Sequence, residues 1–200
     1  LKNFTTVLTQ GLKAAGGIPV WVMMANSLIM ALGIAIGKIA ISITAAYAIV
    51  YFRFPGRELC FVLIFITLMM PVEVRIVPTF QVAANLNFID SYLGLVLPLI
   101  ASATATFLYR QMFMTIPAEL LEAARIDGAG PWRFFVDVVL PLSRTNTAAL
   151  FVVLFIYGWN QYLWPLLVTN QESMYTIVMG IQRMVNIPDA VPDRKSTRLN

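Results

Sequence analysis

Residues 20–52 read VWVMMANSLIMALGIAIGKIAISITAAYAIVYF, and Lys38 is the only charge among them. A bilayer core about 30 Å thick needs roughly 20 apolar residues in helical form. This run is long enough to cross, tilt and extend beyond the hydrocarbon. Three more runs follow. Leu59 to Pro78 is apolar except for Glu73 and Arg75, while Ser91 to Tyr109 and Thr145 to Thr169 carry no charge. A soluble helical core can hide one such segment, but four leave too little polar surface to cover them. The predicted fold class is all-α: a polytopic transmembrane helical bundle with four spans.

The whole composition agrees. Of 200 residues, 59% are hydrophobic and 12% are charged, about half the roughly 25% charge of a soluble globular domain. A disordered chain needs the opposite balance, and a soluble enzyme needs a more charged surface. Histidine is absent and Cys60 is the only cysteine. Disulfides, histidine-based zinc sites and histidine-dependent triads are therefore excluded, and no metal or cofactor is expected. Three cations (Arg194, Lys195 and Arg198) sit in the last seven residues; without them the formal +4 falls to 11 cations against 10 anions. The basic balance is thus no argument for nucleic acid as a partner.

Charge also orients the spans. Arg53 and Arg57 flank the short loop after the first span, and Arg110, Arg125, Arg133 and Arg144 lie in the long loop between the third and fourth. The intervening loop, Thr79 to Asp90, has no Lys or Arg. The positive-inside rule puts the arginine-bearing loops in the cytoplasm. Residues 1–19, with Lys2 and Lys13 and no apolar stretch of signal-peptide type, are expected to be an extracytoplasmic N-terminal segment.

The 110–144 loop holds Pro117-Ala118-Glu119-Leu120-Leu121-Glu122-Ala123-Ala124-Arg125-Ile126-Asp127-Gly128. Pro117 suits a first helical turn and Gly128 a C′ position. Glu119 and Glu122 complement the positive N-terminal end. Leu120, Leu121 and Ala124 are expected to share a face. About 11 residues give about 16 Å of helix, too short to span. A lipid-seeking helix should be basic and aromatic, whereas this one is acidic with a small Ala-Ala surface, which favours a protein partner over an interfacial role.

Glu122-Ala123-Ala124, three residues, Gly128, nine residues, then Val138-Val139-Leu140-Pro141 resembles the EAA loop of ABC-importer permeases, with Val138 where isoleucine is usual. Outside it, Asn26-Ser27-Leu28, Arg53-Phe54-Pro55-Gly56-Arg57 and Trp159-Asn160-Gln161-Tyr162-Leu163-Trp164-Pro165 are similar to the carbohydrate-importer branch. Met70-Pro71-Val72-Glu73-Val74-Arg75-Ile76-Val77-Pro78 and Asp90-Ser91-Tyr92 are similar to its sn-glycerol-3-phosphate importers. The resemblance implies a type-1 permease domain over residues 20–193 in the bacterial inner membrane, four spans of six. The partners it implies are a second permease subunit, an ATP-binding subunit dimer, a solute-binding protein and the lipid bilayer. It implies no enzyme activity of this chain's own. It also implies that Glu119, Glu122, Ala123, Ala124, Gly128, Leu140 and Pro141 couple the chain to the ATPase. Residues 194–200 read as adapter read-through, a non-native tail.

Five polar residues inside the spans are candidates for lining a pathway: Lys38, Glu73, Arg75, Asn160 and Gln161. Lys38 lies about 21 Å along a helix from Phe52, so it either faces a path that suits an anion or reaches toward the outer interface. Glu73 and Arg75 are i,i+2 neighbours and do not share a face. Asn160 and Gln161 belong either to a pathway or to an interfacial belt with Trp159 and Trp164. Gly33 and Gly37 have the spacing that lets helices pack closely.

Overall fold

The structure, a computed structural model, describes residues 18–70 and 72–186. Nearly all of the 1–19 segment and the whole 194–200 tail lie outside the described residues. Among those described, every regular element is helical.

The mast of the fold is α1 (Val20–Tyr51), 32 residues long, or about 48 Å at 1.5 Å per residue. It has no strongly polar face, as a helix surrounded by apolar neighbours should. Met23, Met30, Ile34, Ile43 and Tyr47 are buried along its whole length. The close-packing spacing is used. A Cβ on Gly33 would come within 2.9 Å of Val96 Cγ2, and one on Gly37 within 2.5 Å of Ile100 Cγ2.

The other three expected apolar runs are helical but interrupted. Residues 59–78 divide into α2 (Arg57–Leu68) and α3 (Val72–Asn85). α2 ends at a C-cap on Met69. α3 tolerates Pro78 in its interior and runs on through residues expected to form a loop. Residues 91–109 divide into α4 (Tyr92–Val96), which continues as a 3-10 turn over Leu97–Leu99, and α5 (Ala103–Met114). Ser91 and Ser102 restart the chain as N-caps, accepting the amides of Gly94 and Ala105. The two halves are bent by 48°.

α6 (Ala118–Ile126) comes next. Then α7 (Pro131–Leu142), which contains a π-helical turn at Phe135–Val139, meets α8 (Arg144–Trp159) at 71°. The fourth apolar run breaks at Asn160 and resumes as α9 (Leu163–Val168), and α10 (Ile177–Asn186) closes the described chain. Among the described residues, α1 alone is long and apolar enough to cross a membrane, and α4–α5 and α7–α8 qualify as bent pairs.

α5 and α8 pack along α1 more extensively than any other element. At the C-terminal end of α1, Tyr47, Tyr109, Phe113, Phe134, Phe135 and Val139 form an aromatic core, and the Tyr47 hydroxyl donates to the Pro131 carbonyl at 2.6 Å. The arginine-flanked loops gather at this end, and one cavity is lined by both Arg53 and Arg125. At the opposite end Met23, Tyr175 and Met179 pack together, and Asp90 meets residues 170–171. The two-ended distribution of charge therefore matches the fold. α2 leaves Leu59, Leu63 and Ile66 exposed, and α8 leaves Val152, Val153 and Ile156 exposed. Such surfaces need lipid or neighbouring helices to cover them.

Candidate functional site

α6 stands at the arginine-rich end. Pro117 is its N-cap, just before the first turn, with extended backbone (φ −57°, ψ 135°). Gly128 takes the C′ position with φ +74°. The Gly128 amide donates to the Arg125 carbonyl at 3.1 Å, and the Ala129 amide to the Ala124 carbonyl at 2.8 Å. This pair of bonds is a Schellman closure, which satisfies orphan carbonyls and stops the helix sharply.

The face expected from spacing is partly corrected. Leu121 and Ala124 pack against the aromatic core, but Leu120 is 40% exposed. One turn of about 100° per residue places Leu120 on the flank of a helix only nine residues long, where the core does not reach. The opposite face carries Glu119, Glu122, Ala123 and Ile126, all exposed, with Ile126 at 86%. Ile126 closes the helix on the same side as the two carboxylates and is left bare. Gly128 is exposed beside it, and Trp132, 71% exposed, follows on the next element. Ala124 faces the chain's own core, away from Glu122 and Ala123.

Leu140 and Pro141 are not on that surface. Both are half-buried on α7, and Leu140 packs on the aromatic core. Leu140 braces the platform that holds α6: Leu121, Ala124 and Leu140 pack against the same cluster, which includes Tyr47, Phe113, Phe134 and Val139.

The second group of candidates divides. Lys38, Arg75 and Gln161 line one cavity of about 130 Å³, with Thr79, Pro98, Ala101 and Tyr157. Lys38 and Arg75 also line a neighbouring cavity of about 310 Å³ with Ser102, Ala103 and Thr104. Lys38 is only 7% exposed, and its Nζ lies 3.9 Å over the centre of the Tyr157 ring, a cation–π distance. Asn160 is exposed and lines neither cavity. Glu73 lies on the α3 backbone, but its side chain is outside the described residues. All three helix breaks, at 69–71, 100–102 and 160–162, border this region.

Two further polar residues hold loops together in ways the sequence did not assign. Asn26 is buried on α1; its amide donates to the carbonyls of Ser173 (2.8 Å) and Tyr175 (3.1 Å), and its Oδ1 accepts from the Tyr92 hydroxyl (2.7 Å). Asp90 accepts the amides of Asn170 (2.5 Å) and Gln171 (3.0 Å). The Gln171 amide, with Asn170 adding to it, holds the Asp90 carboxyl below its ordinary range. An asparagine inside an apolar run and an aspartate closing a loop were the available signals.

A long apolar helix, bent helix pairs and one short helix at the arginine-rich end describe a polytopic membrane protein. Residues 38–191 match the family described as the binding-protein-dependent transport system inner membrane component, and the chain belongs to that family. It is 61% identical over 188 residues to the sn-glycerol-3-phosphate transport system permease protein UgpE of Agrobacterium fabrum, covering 94% of this chain and 67% of that protein. The Yersinia pestis protein of the same name is 67% identical over 172 residues, covering 86% and 61%. The Salmonella choleraesuis one is 62% identical over 185 residues, covering 92% and 66%. The chain thus spans about two thirds of the length of these relatives. A crystal structure of a bacterial ABC transporter involved in the import of the acidic polysaccharide alginate has the same fold. Its TM-score is 0.76 at 24% identity, over 90% of this chain and 65% of that one.

Proposed function

We propose that the chain is a permease subunit of an ATP-driven importer of the bacterial inner membrane, and that the complex carries sn-glycerol-3-phosphate. It works with a second permease, a pair of ATP-binding subunits and a solute-binding protein. The exposed face of α6 is the observation that carries the coupling role. Glu119, Glu122, Ala123 and Ile126 face outward from a helix whose other side is fixed to the core through Leu121 and Ala124. A helix anchored on one side and bare on the other transmits a push. Closure of the ATP-binding pair would move α6, and through Leu121, Ala124 and Leu140 the shared aromatic core would pass that movement to α1, α5 and α7. ATP hydrolysis is assigned to the partner subunits because the relatives are named as transport system permease proteins.

The substrate reading rests on the names of relatives at 61–67% identity over 86–94% of the chain. The test is ATP-dependent uptake by the complete complex, comparing labelled sn-glycerol-3-phosphate with a glycerophosphodiester and with maltose. Preferential uptake of sn-glycerol-3-phosphate is expected. Uptake of maltose with none of the phosphate ester would overturn the substrate assignment.

A further inference from the structure

We infer that the two neighbouring cavities at the helix breaks, which share Lys38 and Arg75, form a relay site within the membrane for a phosphate monoester, held by Lys38, Arg75 and the start of α5. This rests on the importer reading above and locates in this chain a place where the solute pauses.

The charges require an occupant. Lys38 and Arg75 line both cavities, and no carboxylate lines either one among the described residues. Lys38 is buried, and the Tyr157 ring is the only partner found for its ammonium among those residues. Two cations lining one cavity repel each other, the more strongly because Lys38 is buried, and a dianion relieves both at once.

The larger cavity adds a third positive element. Its wall includes Ser102, Ala103 and Thr104, the cap and first two residues of the 12-residue helix α5. The Ala103 and Thr104 amides are among the first donors of that helix, which have no intrahelical acceptor, and the helix dipole adds partial positive charge there. A phosphate is a fitting ligand for such an end. The position is fixed by a tie: Ser42, one turn along α1 from Lys38, donates its hydroxyl to the Ser102 carbonyl at 3.3 Å. The smaller cavity continues from the same two cations to Thr79 and Gln161, polar groups suited to the hydroxyls of a short polyol.

The ligand is a soluble ester and not a lipid headgroup. Lys38 stands about 20 Å from Tyr51 and about 27 Å from Val20 along α1, far from either end, whereas lipid phosphates lie at the interfaces.

The complete permease, assembled with its partners in phosphatidylcholine vesicles, tests this. Lys38→Gln and Arg75→Gln should each lower sn-glycerol-3-phosphate uptake at least tenfold, and Lys38→Arg should keep most of the rate. In a Cys60→Ser background, a Thr104→Cys thiol should be labelled at least threefold more slowly by a charged thiol reagent when sn-glycerol-3-phosphate is being transported. If Lys38→Gln does not assemble, Arg75→Gln, at an exposed position, and the thiol measurement decide. Wild-type uptake by both glutamine variants, or labelling indifferent to substrate, would overturn the relay site and leave the importer reading intact. Protection of the thiol by phosphatidic acid in the vesicles and not by the solute would overturn it in favour of a lipid headgroup. A wild-type complex that imports no sn-glycerol-3-phosphate would overturn both.

Discussion

Gly128 offers the sharpest test of how α6 works, because two explanations for a glycine there predict different variants. Its φ is +74°, and nothing lies within 4 Å of the place a Cβ would occupy. Gly128→Ala therefore meets no clash within the chain, and its cost is conformational: about 1–2 kcal/mol for a non-glycine residue in the left-handed region. That shifts the balance between the closed and frayed helix end by a factor of about 5–30. The Schellman bonds to Arg125 and Ala124 weaken accordingly, and α6 loses its fixed end. Asparagine visits the left-handed region more readily than other non-glycine residues, so Gly128→Asn should retain the closure. In the complete complex, ATP-driven uptake should rank wild type, then Asn, then Ala, while ATP hydrolysis persists in the alanine variant. If Asn and Ala abolish uptake equally, the position needs a bare surface for its partner and the conformational argument is wrong. If Ala transports like wild type, the closure itself is unimportant.

Other outcomes follow from the packing and the charges. Gly158→Val should destabilise the α1–α8 contact by about 1–3 kcal/mol, since even a Cβ there would lie 2.9 Å from the Ala31 Cα; thermal unfolding in detergent checks it, and an unchanged midpoint would refute the close approach. Asp90 has a depressed folded-state pKa, so its stabilising effect is present above the ordinary carboxylate value and is lost as pH falls through the folded-state value. Asp90→Asn should remove that part of the acid-side loss of stability and lower stability at neutral pH, measured by unfolding midpoints against pH. Tyr47→Phe deletes the 2.6 Å bond to the Pro131 carbonyl and should cost about 0.5–1.5 kcal/mol; the same assay would show no change if water replaces the hydroxyl.

The sequence disclosed some features of this fold and concealed others for physical reasons. The end of α6 was legible because Gly128 and the residues before it obey local rules of helix closure. Leu120 was misplaced because spacing tells which residues share a side of a helix and not how much of that side a core covers. The interrupted spans were concealed because hydropathy counts apolar residues and is blind to where the backbone restarts. Ser102 reads as a small residue in an apolar run, yet its hydroxyl caps a new helix. Asn160 reads as part of a span and is the C-cap of α8. The pathway candidates were legible one at a time as costly charges in an apolar setting. That Lys38 and Arg75 line the same cavities is a tertiary fact, since they stand 37 positions apart on different helices.

The central claim is that the outer face of α6 meets the ATP-binding subunit. Single cysteines at Ile126, on the outer face, and at Leu121, on the inner face, test it in the complete complex in a Cys60→Ser background. Each is challenged with a short thiol crosslinker and a cysteine placed in the ATP-binding subunit. The account predicts a crosslink from Ile126→Cys that changes in yield when ATP is added, and none from Leu121→Cys. Crosslinking from both positions alike, or from neither across a scan of the ATP-binding surface, would contradict it.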